Sequence, residues 1–357
     1  MNFCYNNIYI DFLLSKISAN GRNMFLKQAN NPSMKNRIAV FCDNRGLTRK
    51  AIFARSSVYL IAIVLFVIYV AFQAGSGEQW FKGLLNSTVA IILASVGQTF
   101  VLYVHGIDLS IAGLISFANC ATASFIPGDL FSAVIFIMAL LIIGFFAGFI
   151  NGIVITRFQL PPFIVTFASW FIWEGLSYYI APIKTNLAEI AFSNALTGRF
   201  FSIPIALIII AAICALWLYF RRTHFGISLF AIAHNKKTAY YSGINVNRIT
   251  VVAYMICAAL SVAAGIFAAA ETMEGSPSGG DSYLLLTLCA VFLGGADLKH
   301  NKGSVLGTIA GCFVLQLFIE LILIMGVPIY WAQLIRGLLF IFIILIKAAF
   351  SFYKKND

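Results

Sequence analysis

Carboxylates are rare in this chain, and those that interrupt its apolar stretches are its first candidates for chemistry. Of the 357 residues, 13 are Asp or Glu. Glu174 lies inside the apolar stretch 162–181, where it follows Trp170 and Trp173. An indole ring can stack on the C–H face of a sugar, and a carboxylate accepts hydrogen bonds from its hydroxyl groups. The pattern indicates either a sugar contact or aromatic packing around a paired acid.

Asp108 lies between two apolar stretches, two residues before Ser110. A short acceptor side chain at this point can bond the free N–H groups of the helix that follows. We therefore expect Asp108 to cap that helix. A role in binding an ion or a substrate is the alternative.

Glu320 and Arg336 occupy two consecutive apolar stretches, each about five residues from the same predicted face of the membrane. At a rise of about 1.5 Å per residue, both would lie roughly 7 Å deep. An isolated charge at that depth is costly, so the two residues predict a structural ion pair. The seven cysteines show no CxxC spacing and the four histidines are scattered, so we expect no metal site.

Ten apolar stretches must position these residues. The chain is 61% hydrophobic and 10% charged, against about 25% charged residues in ordinary soluble domains. A transmembrane helix needs about 20 apolar residues, so ten helices leave no room for a catalytic domain outside the membrane. The sequence predicts an all-α polytopic membrane protein whose transmembrane domain occupies residues 56–350. The predicted spans are 56–75, 84–104, 109–125, 130–156, 162–181, 201–220, 249–270, 283–293, 304–325 and 330–350.

Loops rich in lysine and arginine alternate along the chain with loops that contain few of them. With the N-terminus in the cytoplasm, the outer loops hold only Lys82, Lys184 and Arg199. This asymmetry favours a multi-pass protein with both termini in the cytoplasm, and it assigns the net charge of +11 to membrane-flanking loops rather than to nucleic-acid binding. Residues 1–55 are then a polar cytoplasmic tail, either disordered or an over-extended reading frame, and residues 351–357 are a second cytoplasmic tail.

Two apolar stretches contain glycines at four-residue spacing. Glycines at this spacing share one helix face and let helix backbones approach closely in lipid. Both stretches are fourth in their half if the chain divides after its fifth span. An odd number of helices per half inverts the second half, so the match predicts two inverted five-helix halves. The glycines are Gly144, Gly148 and Gly152 in the first stretch, and Gly303, Gly307 and Gly311 in the second.

The longest basic loop covers residues 221–248. Residues 238–242 can form a short helix that Gly243 ends, because glycine tolerates the left-handed conformation just past a helix end. A rigid element of this kind is suited to dock against a separate subunit that supplies energy. The chain has no G-x-x-x-x-G-K-[S/T] loop, so any energy from ATP must come from another polypeptide.

Several short segments resemble the permease subunit of bacterial ATP-binding-cassette (ABC) importers for simple sugars, the ribose-type permease family. The resemblance covers residues of about 85 to 350, with its motifs in the family's order. They are GIDLS at 106–110, NGIVIT at 151–156, LPPFIVT at 160–166, SGINVNR at 242–248, AVFLGG at 290–295 and GSVLG at 303–307.

The resemblance implies an inner-membrane assembly of two permeases, two ATPase subunits and a periplasmic sugar-binding protein. The second permease would be another copy of this chain or a paralogue. It also implies a coupling segment, in which Lys237 departs from the acidic residue usual in the family. The implied coupling residues are Lys237, Thr238, Ala239, Gly243 and Asn245. The candidates for a substrate path are Asp108, Asn151, Trp170, Trp173 and Glu174.

The sequence therefore predicts a permease subunit that binds no cofactor and catalyses no covalent reaction, while a partner hydrolyses ATP. Which sugar it moves stays open, since the family covers pentoses, hexoses and furanose signals. The alternative function is a proton-coupled secondary transporter with Glu174 as proton carrier. That transporter would work from this chain alone.

Overall fold

The computed structural model describes residues 58–73, 79–187, 189–295 and 304–328, with isolated positions between 331 and 345. This part of the chain is helical except for turns and four two-residue strands. The helices are α1 Val58–Phe72, α2 Gln79–Tyr103, α3 Ser110–Phe125, α4 Leu130–Phe158, α5 Pro162–Ile180, α6 Ile190–Thr197, α7 Ile205–Phe220, α8 His224–His234, α9 Lys236–Tyr241, α10 Val246–Thr272, α11 Asp281–Leu293 and α12 Val305–Ile324. The strands are β1 Thr185–Asn186, β2 Arg199–Phe200, β3 Ile203–Pro204 and β4 Glu274–Gly275.

Nine of the predicted spans overlap α1 to α5, α7 and α10 to α12, and most of their ends agree within three residues. The start of the second span was placed five residues too late, since α2 begins at Gln79. The start of the sixth span was wrong. Strands β2 and β3 form a hairpin around Phe201 and Ser202, both of positive φ, and α7 begins only at Ile205. The tails 1–55 and 351–357 lie outside the described residues. The tenth span falls almost entirely outside them as well.

Four described helices are long and apolar enough to cross a membrane, namely α2, α4, α10 and α12. Helices α7 and α8 meet this condition together, with a bend of 80° between them. Helices α1, α3 and α11 are shorter and also apolar. The chain is therefore an all-α membrane protein, while the number of ten spans stays a prediction.

Helices α2 and α10 form the centre of the bundle. Helix α10 packs against α2, α3 and α4, and α2 also packs against α11 and α12. From Leu84 to its last residue, α2 is buried except at Ser87. Several of its polar side chains find partners within the bundle: the Thr99 hydroxyl, for example, lies 3.0 Å from the Thr308 hydroxyl of α12. Helix α2 is hydrophobic around its whole circumference, and such a helix is expected to be surrounded by other helices.

Helix α4 shows how glycines set helix distances. A Cβ atom on Gly148 would meet the Tyr254 carbonyl and would lie 2.6 Å from the Met255 Cα. Gly144 and Gly152 face α10 in the same way, while large side chains such as Phe131 and Phe146 on the other faces of α4 are exposed. The predicted glycine face thus brings α4 against α10, as close packing in lipid demands.

The second glycine face packs on a different kind of neighbour. Gly307 and Gly311 of α12 face Gly294 and Ala290, at the end of α11. Gly303 lies outside the described residues. The two faces therefore share their spacing, but α10 and α11 are not equivalent helices in the predicted two halves.

Segments between helices meet at two opposite ends of the bundle. At the end that we call the α6 end, strand β1 pairs with β4 and the Leu187 N–H donates to the Met273 carbonyl. At the α9 end, the Thr166 hydroxyl lies 3.3 Å from the Ile107 carbonyl. Each of these contacts joins segments that the predicted spans place on one side of the membrane.

Candidate functional site

The break between α2 and α3 holds the first group of candidate residues. After α2 ends, the Gly106 N–H turns back to donate to the Val101 carbonyl at 3.0 Å. His105 takes a left-handed conformation with φ of 64°. This conformation costs a non-glycine residue energy and persists only where the surrounding structure holds it. The chain then enters the bundle as an extended segment that leads to Asp108 and Ser110.

Asp108 is fully buried, and its Oδ1 accepts two hydrogen bonds from Ser110. The Ser110 N–H donates at 2.9 Å and the Ser110 hydroxyl donates at 2.6 Å. Because Ser110 is the first residue of α3, Asp108 satisfies one free N–H group at the start of that helix, but it does so from the position before the N-cap residue Leu109, which makes no side-chain cap itself. Asn151 of α4 donates from Nδ2 to the Ser110 Oγ at 3.1 Å, so two predicted path residues, Asp108 and Asn151, share one network.

Other polar groups surround the same carboxyl group. With its terminal amide turned so that oxygen faces a donor and nitrogen faces an acceptor, Gln98 donates to the Asp108 carbonyl at 3.2 Å and accepts from the Asp108 N–H at 3.3 Å. The Cys257 thiol lies within hydrogen-bonding reach of the Asp108 carboxyl group, and the Tyr254 hydroxyl is buried with no hydrogen-bond partner among the described residues. Buried polar atoms without partners are costly and concentrate at sites with a function. The sequence analysis missed Gln98 and Tyr254, because both lie deep inside apolar stretches and their neighbours are far away in the sequence.

Trp170, Trp173 and Glu174 form a second group on α5. The Trp173 ring lies 5.0 Å from the Phe117 ring of α3, and a Cβ on Gly113 would lie 2.9 Å from the Trp173 Cβ. Trp173 therefore packs between α3 and α5. Trp170 stacks on Phe171, with ring centroids 5.4 Å apart.

Glu174 and Trp170 share a neighbour that the sequence analysis missed. Asp281, the first residue of α11, lies close enough to Glu174 for the two carboxyl groups to repel each other, and it also lies near the Trp170 ring. The missed signal was an acidic residue directly after Gly279-Gly280, at the start of a span that the sequence placed two residues later. The partly buried Glu174 and the exposed Asp281 are carboxyl groups that can accept hydrogen bonds from hydroxyl groups, and the nearby Trp170 N–H can donate one.

The two groups lie along one helix. Thr166 of α5 contacts the carbonyl of Ile107, next to Asp108, and Glu174 follows Thr166 by eight residues. At the rise of an α-helix this separates them by about 12 Å along α5. The candidate path residues therefore follow the seam between α3 and α5 and do not form a single cluster.

Loop 221–248 consists of two helices, α8 and α9, where the sequence predicted one. Asn235 joins them: its N–H donates to the Ala231 carbonyl at the end of α8, and its Oδ1 accepts from the Thr238 N–H at 3.0 Å. Helix α9 ends as predicted at Gly243, whose φ is 84°. The N–H groups of Gly243 and Ile244 donate to the carbonyls of Tyr240 and Ala239, which is the Schellman arrangement.

The predicted coupling residues divide into an anchor and an exposed surface. Ala239 is 3% exposed and packs into the main core of the bundle, whereas Lys237, Thr238 and Gly243 are exposed. Asn245 accepts from the Arg248 N–H at 3.1 Å and so caps α10. Tyr240 and Tyr241, which the sequence analysis did not single out, are 67% and 84% exposed.

Glu320 accepts a hydrogen bond from Gln316 of the same helix at 2.9 Å and interacts electrostatically with Glu271 and Tyr69. Its predicted partner Arg336 lies outside the described residues, so the ion pair stays a prediction. Within the described residues, no group of three or more His, Cys, Asp or Glu side chains could hold a metal ion.

Known proteins similar to this chain are permeases. The family model described as "Branched-chain amino acid transport system / permease component" matches residues 81–344. The ribose import permease RbsC of Escherichia coli (strain K12) is 27% identical over 82% of this chain and 92% of its own length. The corresponding permease of Bacillus subtilis (strain 168) is 31% identical over 71% of this chain and 80% of its own length.

The fructose import permease FrcC of Rhizobium meliloti is 27% identical over 78% of this chain and 82% of its own length. An inner membrane ABC transporter permease of Escherichia coli (strain K12), YjfF, is 29% identical over 73% of this chain and 82% of its own length. No solved structure matches the chain significantly.

Proposed function

The chain belongs to the family of branched-chain amino acid transport system permease components, and from this premise we propose that it is the membrane subunit of an ATP-driven importer for a simple sugar. The family match over residues 81–344 carries the permease part of this proposal. The sugar class comes from the relatives, which are named as ribose and fructose import permeases. These relatives are transport proteins, in agreement with a subunit that catalyses no covalent reaction.

Contacts among the described helices support the inverted repeat. If the chain divides after its fifth span, α2 is equivalent to α10, α3 to α11, and α4 to α12. Helix α10 packs against α3 and α4, and α2 packs against their equivalents α11 and α12. The self-equivalent pairs α2–α10 and α3–α11 also touch. We therefore retain ten spans in two inverted halves, with the tenth span in residues 330–350.

Charge supports the proposed orientation. Among the described residues, Arg157, Arg221, Arg222, Lys236, Lys237 and Arg248 belong to segments at the α9 end, whereas Lys82, Lys184 and Arg199 belong to the α6 end. Basic residues flank membrane spans mainly on the cytoplasmic side. We assign the α9 end to the cytoplasm, with both termini on that side, and the α6 end to the periplasm.

The substrate path in this proposal follows the α3–α5 seam. Asp108 and Asn151 are buried, so they form the fixed wall of the path, while the partly exposed Trp170 and Glu174 contact the sugar. Trp173 supports the wall through its packing on Phe117. A weak site is sufficient, because a separate periplasmic protein would supply selectivity.

The partners in this proposal are an ATPase subunit at the α9 end, a second permease, and a periplasmic sugar-binding protein at the α6 end. Helix α9 is held rigidly by Asn235 and Gly243 and exposes Lys237 and Thr238 toward the ATPase. The chain itself binds no ATP and no other cofactor. One relative named as an import permease and another named as an ABC transporter permease support this division of labour, in which the permease forms the path and another subunit supplies the energy.

Reconstitution tests the proposal against proton coupling. The chain is placed in vesicles alone, or with an ATPase and a sugar-binding protein encoded beside it, and uptake of radiolabelled ribose, fructose and other simple sugars is measured. We expect accumulation only with both partners and ATP. Accumulation by the chain alone, driven by a proton gradient and abolished by an uncoupler, would instead establish the secondary transporter.

A further inference from the structure

His105 connects the cytoplasm-facing helix pair to the interior of the bundle. Its Nε2 lies 3.0 Å from the carbonyl oxygen of Ile232, in α8. A carbonyl oxygen can only accept, so the hydrogen of this bond is on Nε2. The contact joins two segments separated by 127 positions, and it is made by a residue in a conformation that few histidines adopt.

Helix α8 is a fixed element at the other side of this bond. Leu229 and Ile232 are fully buried in the main core. At Gly226, a Cβ atom would meet the Phe220 carbonyl and lie 2.8 Å from the Arg221 Cα, so only glycine permits the tight turn from α7 into α8. Any displacement of α8 must therefore move its buried face, including the Ile232 carbonyl.

Helix α9 is joined to α8 without a flexible linker. Asn235 is both the last capping residue of α8 and the first capping residue of α9. Ala239 anchors α9 in the same core. Because one residue serves both helices, a force on the exposed surface of α9 is passed to α8.

On the bundle side, the residues after His105 lead directly to the buried polar network. Gly106 lies against the Tyr254 hydroxyl of α10, leaving no room for a side chain there. Asp108 is bonded through its backbone to Gln98 of α2 and through its side chain to Ser110 of α3. Residues 105–108 therefore contact α2, α3 and α10, and a movement of this segment would disturb its contacts with all three helices.

We propose that His105 is a positioning residue through which the α8–α9 pair controls the α2–α3 break, and so transmits partner movement to the transport path. This inference rests on the proposed function, and it adds the residue that links the docking surface to the path. His105 contacts no solute itself. It acts by holding the segment that carries Asp108 in register with α8, and a coupling of two states needs such a shared contact.

Two substitutions separate the hydrogen bond from the backbone conformation. His105→Gly keeps the left-handed conformation and removes the side chain. His105→Gln restores an N–H donor at about the reach of Nε2, at the cost of backbone strain. His224→Gln is the matched control, because His224 is an exposed histidine at the start of the same α8 helix.

The full complex in vesicles gives the coupling readout: sugar molecules accumulated per ATP hydrolysed. We expect His105→Gly to lower this ratio about fivefold, which corresponds to about 1 kcal/mol, the value of one intramolecular hydrogen bond. ATP hydrolysis and assembly should persist, His105→Gln should recover part of the ratio, and His224→Gln should match wild type. An unchanged ratio in His105→Gly overturns the inference, as does a parallel loss of assembly and hydrolysis without rescue by Gln.

Hydrogen exchange of the detergent-solubilised chain tests the contact without any transport. Amides of residues 105–110 should exchange about fivefold faster in His105→Gly than in wild type or His224→Gln. Equal exchange contradicts the positioning role. A wild-type complex that accumulates no sugar refutes the proposed function instead, and the exchange result is read separately from it.

Discussion

The hydrogen bonds of Asp108 need an acceptor oxygen but not a negative charge, so a structural role and a role of the charge can be tested separately. Its Oδ1 accepts the Ser110 N–H and hydroxyl inside the bundle, where no water can replace it. An amide oxygen can accept the same two bonds, whereas alanine would leave two buried donors without an acceptor. The carboxylate charge itself is not needed for either bond.

We therefore expect Asp108→Asn to fold and transport nearly as wild type, and Asp108→Ala to lose about 1–3 kcal/mol of stability, the cost of a buried unsatisfied donor. Thermal unfolding of the purified protein and sugar uptake by the complex measure the two effects. A stable Asp108→Asn variant without uptake would give the carboxylate a direct part in transport.

Glu174 and Trp173 are neighbours in sequence with different surroundings. Glu174 is partly exposed near Asp281, while Trp173 packs against Phe117 of α3. Under the proposed path, Glu174→Gln should raise the sugar concentration needed for half-maximal uptake and leave the unfolding temperature unchanged. Trp173→Leu should lower the unfolding temperature through lost packing. Unchanged uptake in Glu174→Gln at all sugar concentrations would remove Glu174 from the path.

Gly148 is the residue at which helix packing depends most clearly on the absence of a side chain. A Cβ would lie 2.6 Å from the Met255 Cα, and backbone cannot move aside without separating α4 from α10. Gly148→Ala should destabilise the protein by about 1–3 kcal/mol, as overpacking does. Gly175→Ala is the control, because a Cβ there meets nothing within 4 Å and alanine favours a helix. Equal unfolding temperatures for the two variants would contradict this packing.

At the scale of elements, apolar stretches located the spans because a helix in lipid must be apolar along its length. The end of α9 was predictable for a similar local reason, since Gly243 supplies the left-handed residue that a Schellman motif needs. Elements fixed by distant partners gave no such signal. Strand β1 exists through its pairing with β4, and α6 through contacts such as the Ser193 hydroxyl with the Ala270 carbonyl.

The same distinction holds for the candidate site. Acidic and aromatic residue types, inside apolar stretches for Trp170 and Glu174 and between two of them for Asp108, made these three residues candidates. Their neighbours Gln98 and Asp281 come from α2 and α11, and only tertiary packing brings them close. The spacing of the glycines likewise could not predict that one glycine face packs on α10 and the other on α11.

The α9 helix gives a prediction at the same scale. Gly243 has φ of 84° and its N–H donates to the Tyr240 carbonyl, so proline fits neither requirement. Gly243→Pro should abolish sugar uptake by the full complex and leave membrane insertion intact. Gly243→Asn, which tolerates the left-handed conformation, should keep most of the uptake. Normal uptake by Gly243→Pro would show that the geometry of α9 has no part in coupling.

At the scale of the whole molecule, the two ends of the bundle differ in charge as well as in structure. At the α9 end, Lys237 lies on an exposed helix whose surroundings contain no exposed acidic residue among those described. At the α6 end, Lys184 forms an exposed ion pair with Glu274 at 3.3 Å. Charge is thus one-sided at the α9 end and mixed at the α6 end, as expected if a membrane separates a cytoplasmic from a periplasmic face.

Cysteine labelling turns this asymmetry into a test of topology. Single cysteines are introduced as Lys237→Cys or Lys184→Cys, both at exposed positions, in a background where Cys4 and Cys42 are replaced by serine. Four of the remaining cysteines are buried and one is partly buried, so they should react slowly: Cys120, Cys257, Cys289 and Cys312, and Cys214.

The labelling result depends on which side of the membrane the reagent reaches. In cells with a permeable outer membrane, a membrane-impermeant maleimide should label Lys184→Cys alone. In inverted inner-membrane vesicles, the same reagent should label Lys237→Cys alone. Because the contacts hold each end together as a unit, one position at each end is sufficient to orient the bundle. Labelling of both variants from the same side would mean that the two ends do not face opposite sides of the membrane, and the assignment of α9 to the cytoplasm would fall with it.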